Sequence, residues 1–147
     1  MHPVVVQRTV PFSPDELFDV AADIEDYPNF LTNCAATRIM KHDGGTLLVD
    51  NVFRWGPVPL RFRTQAVFNR PHAIDIETVR GESLSLKLSW RFEAVGVETS
   101  VQLSMALDMD VPVFGGGIND ILQKEALATE QAFLKRVEER QSSSTEK

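Results

Sequence analysis

A chain of 147 residues with 43% hydrophobic and 24% charged residues is long enough for one domain with a single core, and its composition is that of a soluble globular protein. The formal charge of −6 works against association with a phosphate backbone, so nucleic acid is not the expected partner. No apolar run approaches the roughly 20 residues of a membrane helix, Met1-His2-Pro3-Val4 lacks the charged-then-apolar order of a signal peptide, and a cytoplasmic location is expected.

Pro3 to Val10 reads as a strand. In Pro11-Phe12-Ser13-Pro14-Asp15-Glu16, Ser13 is an N-cap, Pro14 fits the first helical position and Glu16 completes a capping box, so a helix is expected to about Asp23. A second short helix or turn begins in Asp26-Tyr27-Pro28-Asn29-Phe30, where Pro28 forbids one continuous helix. From Ala35 onward the apolar period becomes two. Thr37 to Lys41 and Thr46 to Arg54 flank the turn His42-Asp43-Gly44-Gly45, and Trp55-Gly56-Pro57-Val58-Pro59 breaks the run. Leu60, Phe62, Thr64, Ala66 and Phe68 then alternate with Arg61, Arg63, Gln65 and Asn69. Ala73 to Val79, Leu84 to Glu93 and Val101 to Met109 repeat the alternation, giving an antiparallel sheet of six or seven strands with one apolar face.

Gly115-Gly116-Gly117 supplies a flexible entry to one long amphipathic helix, Ile118 to Arg140. Ile118, Ile121, Leu122, Glu125, Thr129, Ala132, Phe133 and Val137 share a face, with Asn119, Asp120, Gln123, Lys124, Glu130, Gln131, Lys135 and Glu138 pointing away. Gln141 to Lys147 holds too little apolar material to pack and is expected as a disordered tail after a single domain, 1–140. The order of elements predicts an α+β architecture in which a twisted sheet curls around the final helix.

That order and several motifs resemble the START-like helix-grip superfamily, in its polyketide cyclase/dehydrase branch with the coenzyme Q-binding and RatA-like proteins. The resemblance is carried by Val10-Pro11-Phe12-Ser13-Pro14-Asp15-Glu16-Leu17-Phe18-Asp19-Val20, by Asp26-Tyr27-Pro28-Asn29-Phe30-Leu31 with Cys34 beyond it, by Trp90-Arg91-Phe92-Glu93, and by Gln131-Ala132-Phe133 with Arg136. It implies the helix-grip fold, a hydrophobic small-molecule ligand between sheet and helix, and no cofactor; transient contact with a membrane surface is compatible with such a cargo. Thr32-Asn33 stands where the family often has Pro-Trp, and Gly81-Glu82-Ser83 where it often has Gly-Pro-Phe. If those loops rim the cavity, these departures put a polyprenyl quinone in doubt as the ligand.

Candidates for the cavity wall are Phe53, Phe62, Leu88, Trp90, Met105, Ile121, Leu122 and Thr129, against the plainer reading that they fill a close-packed core. Glu125 lies on the apolar stripe, where a carboxylate either meets a cation, with Arg61 or Arg63 as candidates, or carries a raised pKa, unless the helix turns far enough to bring it to water. No catalytic residue or metal ligand is assigned. His2, His42 and His72 lie at a terminus and in turns, the lone Cys34 reads as a small buried apolar residue, and no nucleophile, phosphate-loop or dinucleotide motif occurs. The leading expectation is a non-catalytic carrier of a lipid, isoprenoid quinone or polyketide-like molecule, with Arg61, Arg63 or Glu125 fixing its orientation. The second is a polyketide-type cyclase or dehydratase, which needs polar groups converging in the cavity. The third, a RatA-like inhibitor of ribosomal subunit association, needs a basic patch around Arg54, Arg61 and Arg63.

Overall fold

The computed structural model describes residues 3–55, 58–109 and 118–145. Seven antiparallel strands, β1 (Val4–Val10), β2 (Cys34–Asp43), β3 (Thr46–Trp55), β4 (Val58–Asn69), β5 (Ala73–Thr78), β6 (Leu84–Val95) and β7 (Glu98–Met109), form one curved sheet in the order β1-β7-β6-β5-β4-β3-β2. The meander from β2 to β7 follows from short turns; Gly44 and Gly96 stand at φ 63° and 65° in two of them, a region that costs glycine least. Helix α1 (Pro14–Ala22) and a 3-10 helix (Ile24–Asn29) separate β1 from β2, and α2 (Ile118–Thr145) follows β7. The expected α+β helix-grip architecture is what the chain adopts.

Local chemistry sets the ends of α1. The Ser13 hydroxyl accepts from the Glu16 amide at 3.2 Å while the Glu16 carboxylate accepts from the Ser13 amide at 3.1 Å, so the capping box is complete. Leu17, Phe18, Val20 and Ala21 are buried and join the inward residues of every strand in one core.

Helix α2 lies against β1, β7 and α1. Its most deeply covered line is Leu122, Ala126, Glu130, Phe133 and Val137, rotated from the expected face. Glu130, assigned to the wet side by sequence, is 1% exposed, because steps of four through Leu122 and Ala126 lead to it. Arg8, on the inward row of β1, donates from Nε to Glu130 Oε1 at 3.0 Å; Oε2 has no hydrogen-bond partner among the described residues. The helix also runs past Arg140 to Thr145, so the expected tail is helical over 141–145. No proline or glycine interrupts Gln141 to Thr145, and a helix already started extends at little cost per residue. The Gly115-Gly116-Gly117 hinge and Gly56-Pro57 lie outside the described residues.

Arg8→Ala orphans a buried carboxylate. Because Arg8 is itself half-exposed, the expected loss is about 2 kcal/mol rather than the larger cost of breaking a fully buried pair. Urea unfolding should report that loss, with Arg8→Leu/Glu130→Leu recovering most of it; an unchanged midpoint for Arg8→Ala would show that the pair contributes nothing.

Candidate functional site

One side of the sheet is left uncovered by α2. The helix sits over β1 and β7, while β3 to β6 face the 3-10 helix and the chain after it across a space lined almost wholly by carbon. Phe133 reaches from α2 to the sheet, its ring 4.3 Å from that of Trp90 and 6.1 Å from that of Phe92, centroid to centroid. Beyond this stack lies a cavity of about 60 Å³.

Six of the expected wall residues, Phe53, Phe62, Leu88, Trp90, Met105 and Thr129, line the cavity together. Ile121 and Leu122 stand outside its lining, since the gap opens at the level of Thr129 and Phe133, farther along α2. The 3-10 segment supplies Ile24, Tyr27, Phe30 and Leu31, which sequence reasoning did not assign. The motif Tyr27-Pro28-Asn29-Phe30-Leu31 held the signal, an apolar cluster too short to form its own core.

Among the described residues, the polar groups in the cavity wall are Tyr27, Asn51, Thr64, Thr129 and the indole N–H of Trp90. The Tyr27 hydroxyl donates to the Ala21 carbonyl, and burial raises its pKa. Asn51 Nδ2 donates to Thr64 Oγ1 at 3.0 Å and to the carbonyls of Val49 and Phe62. Among the described residues, no carboxylate, histidine, lysine or arginine lines the cavity. Cys34, 4% exposed, is pushed up to about 12 by burial.

Glu125 is half-buried and accepts a hydrogen bond from Asn33 Nδ2 at the edge of a neighbouring hollow of about 50 Å³. The expected pairing with Arg61 or Arg63 is overturned by the pleat of β4: with Phe62 and Thr64 inward, Arg61 and Arg63 point outward and are exposed. Arg63 instead donates from Nε to Asp50 Oδ1 at 2.6 Å. Cross-strand register sets Arg38 opposite Asp50, Asp50 opposite Arg63 and Val52 opposite Arg61; with Arg54 these make a basic outer face on β2 to β4.

The 3-10 helix is held to α2 by charge. Arg136 grips Asp26 through Nε and Nη2, both at 2.9 Å, and Arg140 donates to Asp23 at 2.7 Å and to Asp26 at 3.1 Å. Burial alone would raise the Asp26 pKa, but hydrogen bonds from Arg136, Asn29 and Arg140 outweigh it and hold the carboxyl below its ordinary value.

Residues 10–134 match the family described as "Polyketide cyclase / dehydrase and lipid transport". The chain is 23% identical over 137 residues to the "Ribosome association toxin RatA" of Pseudomonas aeruginosa, covering 91% of this chain and 95% of that one. It is 26% identical over 139 residues to the protein of that name from Rickettsia prowazekii, covering 90% and 93%. Among solved structures it superposes on the Zhui aromatase/cyclase from Streptomyces sp. R1128 with a TM-score of 0.77 at 13% identity, over 95% of this chain and 94% of that one. A START superfamily protein from Mycobacterium smegmatis gives 0.72 at 17% identity, over 95% and 97%.

Because Asp26 is held below its unfolded value, its contribution to stability is full above the unfolded pKa near 4 and is lost as pH falls through the folded one. Asp26→Asn should therefore cost about 2 kcal/mol at pH 7 and flatten the stability profile below pH 4; parallel profiles for the two proteins would refute this. The thiol of native Cys34 should react with a disulfide reagent at pH 8 at least about 100-fold more slowly than in urea, and equal rates would contradict its burial.

Proposed function

The chain belongs to the family of polyketide cyclases, dehydrases and lipid-transport proteins, and on that premise we propose that it is a non-catalytic binding protein for a hydrophobic small molecule held between the sheet and α2. The observation that carries this reading is the cavity wall itself: carbon from three sides, with its few polar groups neutral and, among the described residues, no group able to take or give a proton near neutral pH. A cyclase needs polar groups converging on a void. Glu125 meets Asn33 instead, and the arginines lie across the sheet, so the cyclase alternative lacks its machinery among the described residues.

The cavity of about 60 Å³ is below the ~150 Å³ that admits benzene, so a guest of lipid or isoprenoid size has to displace its wall. The side chains best able to move are Met105, with its flexible thioether, and the half-buried Phe53 and Leu88. Binding would then be driven by apolar burial at roughly 25 cal/mol per Å², less the cost of opening the gap.

A second reading, interference with ribosomal subunit association, is favoured by the relatives' name together with the exposed arginines Arg38, Arg54, Arg61 and Arg63 on one face. It would act through that outer face and be abolished by Arg54→Glu/Arg61→Glu, read as recovery of assembled particles in a sucrose gradient.

For the binding reading, Trp55→Phe leaves Trp90 as the one indole. Decylubiquinone and decanol should each change its emission saturably, and Leu88→Phe, which adds volume to the cavity wall, should weaken both by about tenfold. Emission that stays flat with every apolar probe would overturn the proposal.

A further inference from the structure

The sheet has a notch. β5 ends at Thr78, opposite Thr64, while β4 continues back to Val58 and β6 begins only at Leu84, so over residues 58–63 β4 has β3 on one side and no strand on the other. The turn 79–83 spans the gap. Val79 donates its amide to the Arg63 carbonyl at 3.0 Å, and the Arg63 amide donates to Glu82 Oε1 at 2.5 Å. Since the main chain of Arg63 faces this turn, the period of the pleat directs the amide and carbonyl of Arg61 the same way, past the end of β5.

An open groove of about 440 Å³ lies at that bare edge. Three guanidiniums, from Arg61, Arg63 and Arg80, border it with two carboxylates, Asp50 and Glu82. Both carboxylates are engaged by Arg63, one through its side chain and one through its amide. Arg61 and Arg80 make no ion pair among the described residues. An acidic protein thus presents two uncompensated guanidiniums at one opening. Asn51 and Phe62 line both this groove and the apolar cavity, so the two spaces share a wall.

We propose that the groove binds the carboxylate or phosphate head of an amphiphile whose apolar part occupies the cavity, with Arg61 and Arg80 as the recognising residues. This rests on the binding reading above and narrows its ligand to anionic amphiphiles. Adjacent residues of β4 divide the task, Phe62 facing the tail and Arg61 the head, because successive side chains take opposite faces of a strand. Guanidinium suits this role, offering paired donors that match a carboxylate or phosphate and being weakly enough hydrated to give up water for it.

Decanol is the uncharged reference ligand, and the readout on Trp90 fluorescence is the affinity of decanoate and of decyl phosphate relative to decanol. The expected ratio is at least about tenfold in favour of the anions at low salt, shrinking at high salt and falling to about one in Arg61→Gln/Arg80→Gln. Both substitutions are at exposed positions, and thermal unfolding verifies that the variant is folded. Equal binding of decanol and the anions would remove the head site while leaving the cavity reading intact. Failure of all three ligands to bind would remove both. Inorganic phosphate binding as tightly as decyl phosphate would show a free-anion site unconnected to the cavity. A single-stranded RNA bound through Arg61 and Arg80 in a protein that ignores decanoate would hand the groove to the ribosomal reading.

Discussion

One helix has to cover the apolar face of seven strands. Six strand spacings of about 4.8 Å make a sheet on the order of 30 Å across, and an α-helix with its side chains is about 10 Å wide. Curvature narrows the mismatch without closing it. Helix α2 settles over β1 and β7, and the far side is closed by the 3-10 helix and the segment ending at Leu31, which bring Ile24, Tyr27, Phe30 and Leu31 over β3 to β6. The cavity is what remains where the two covers meet, with Phe133 bridging from the helix to Trp90 and Phe92 on the sheet.

Charge fixes both covers in place beside the cavity. Arg8 draws Glu130 against β1 near the middle of α2, and Arg136 with Arg140 ties the end of the helix to Asp26 and Asp23. These pairs sit around the apolar space without entering it. The cavity therefore offers shape and carbon, whereas the guanidiniums of Arg61 and Arg80 lie outside it, beside the notch left by short β5.

The strands were legible because Leu84, Leu86, Leu88, Trp90 and Phe92 alternate with polar residues, a pattern that only a half-buried strand satisfies. The Ser13 capping box likewise located α1 by local chemistry alone. Six cavity residues were recognised for the same reason, being large and apolar on inward positions. What escaped depends on relations between elements. Glu130 reads as solvent-facing because it is acidic, although its position relative to Ala126 and Phe133 puts it inside, where the distant Arg8 makes it tolerable. Pairing Glu125 with Arg61 or Arg63 overlooks that both arginines lie on the opposite parity to Phe62; the register of β4 sets their side. The lid formed by the 3-10 helix and the size of the gap are properties of packing that no single segment encodes.

The central physical claim is that the two covers leave a dry, apolar space at their junction that a guest can enter. Apolar cavities of this kind stay empty of water and admit xenon. A crystal held under xenon pressure tests it directly: the expected result is one xenon site ringed by Phe53, Trp90 and Met105, with neighbouring side chains shifted outward. Ordered water in that space, or no xenon there at a pressure that fills other sites, would contradict it.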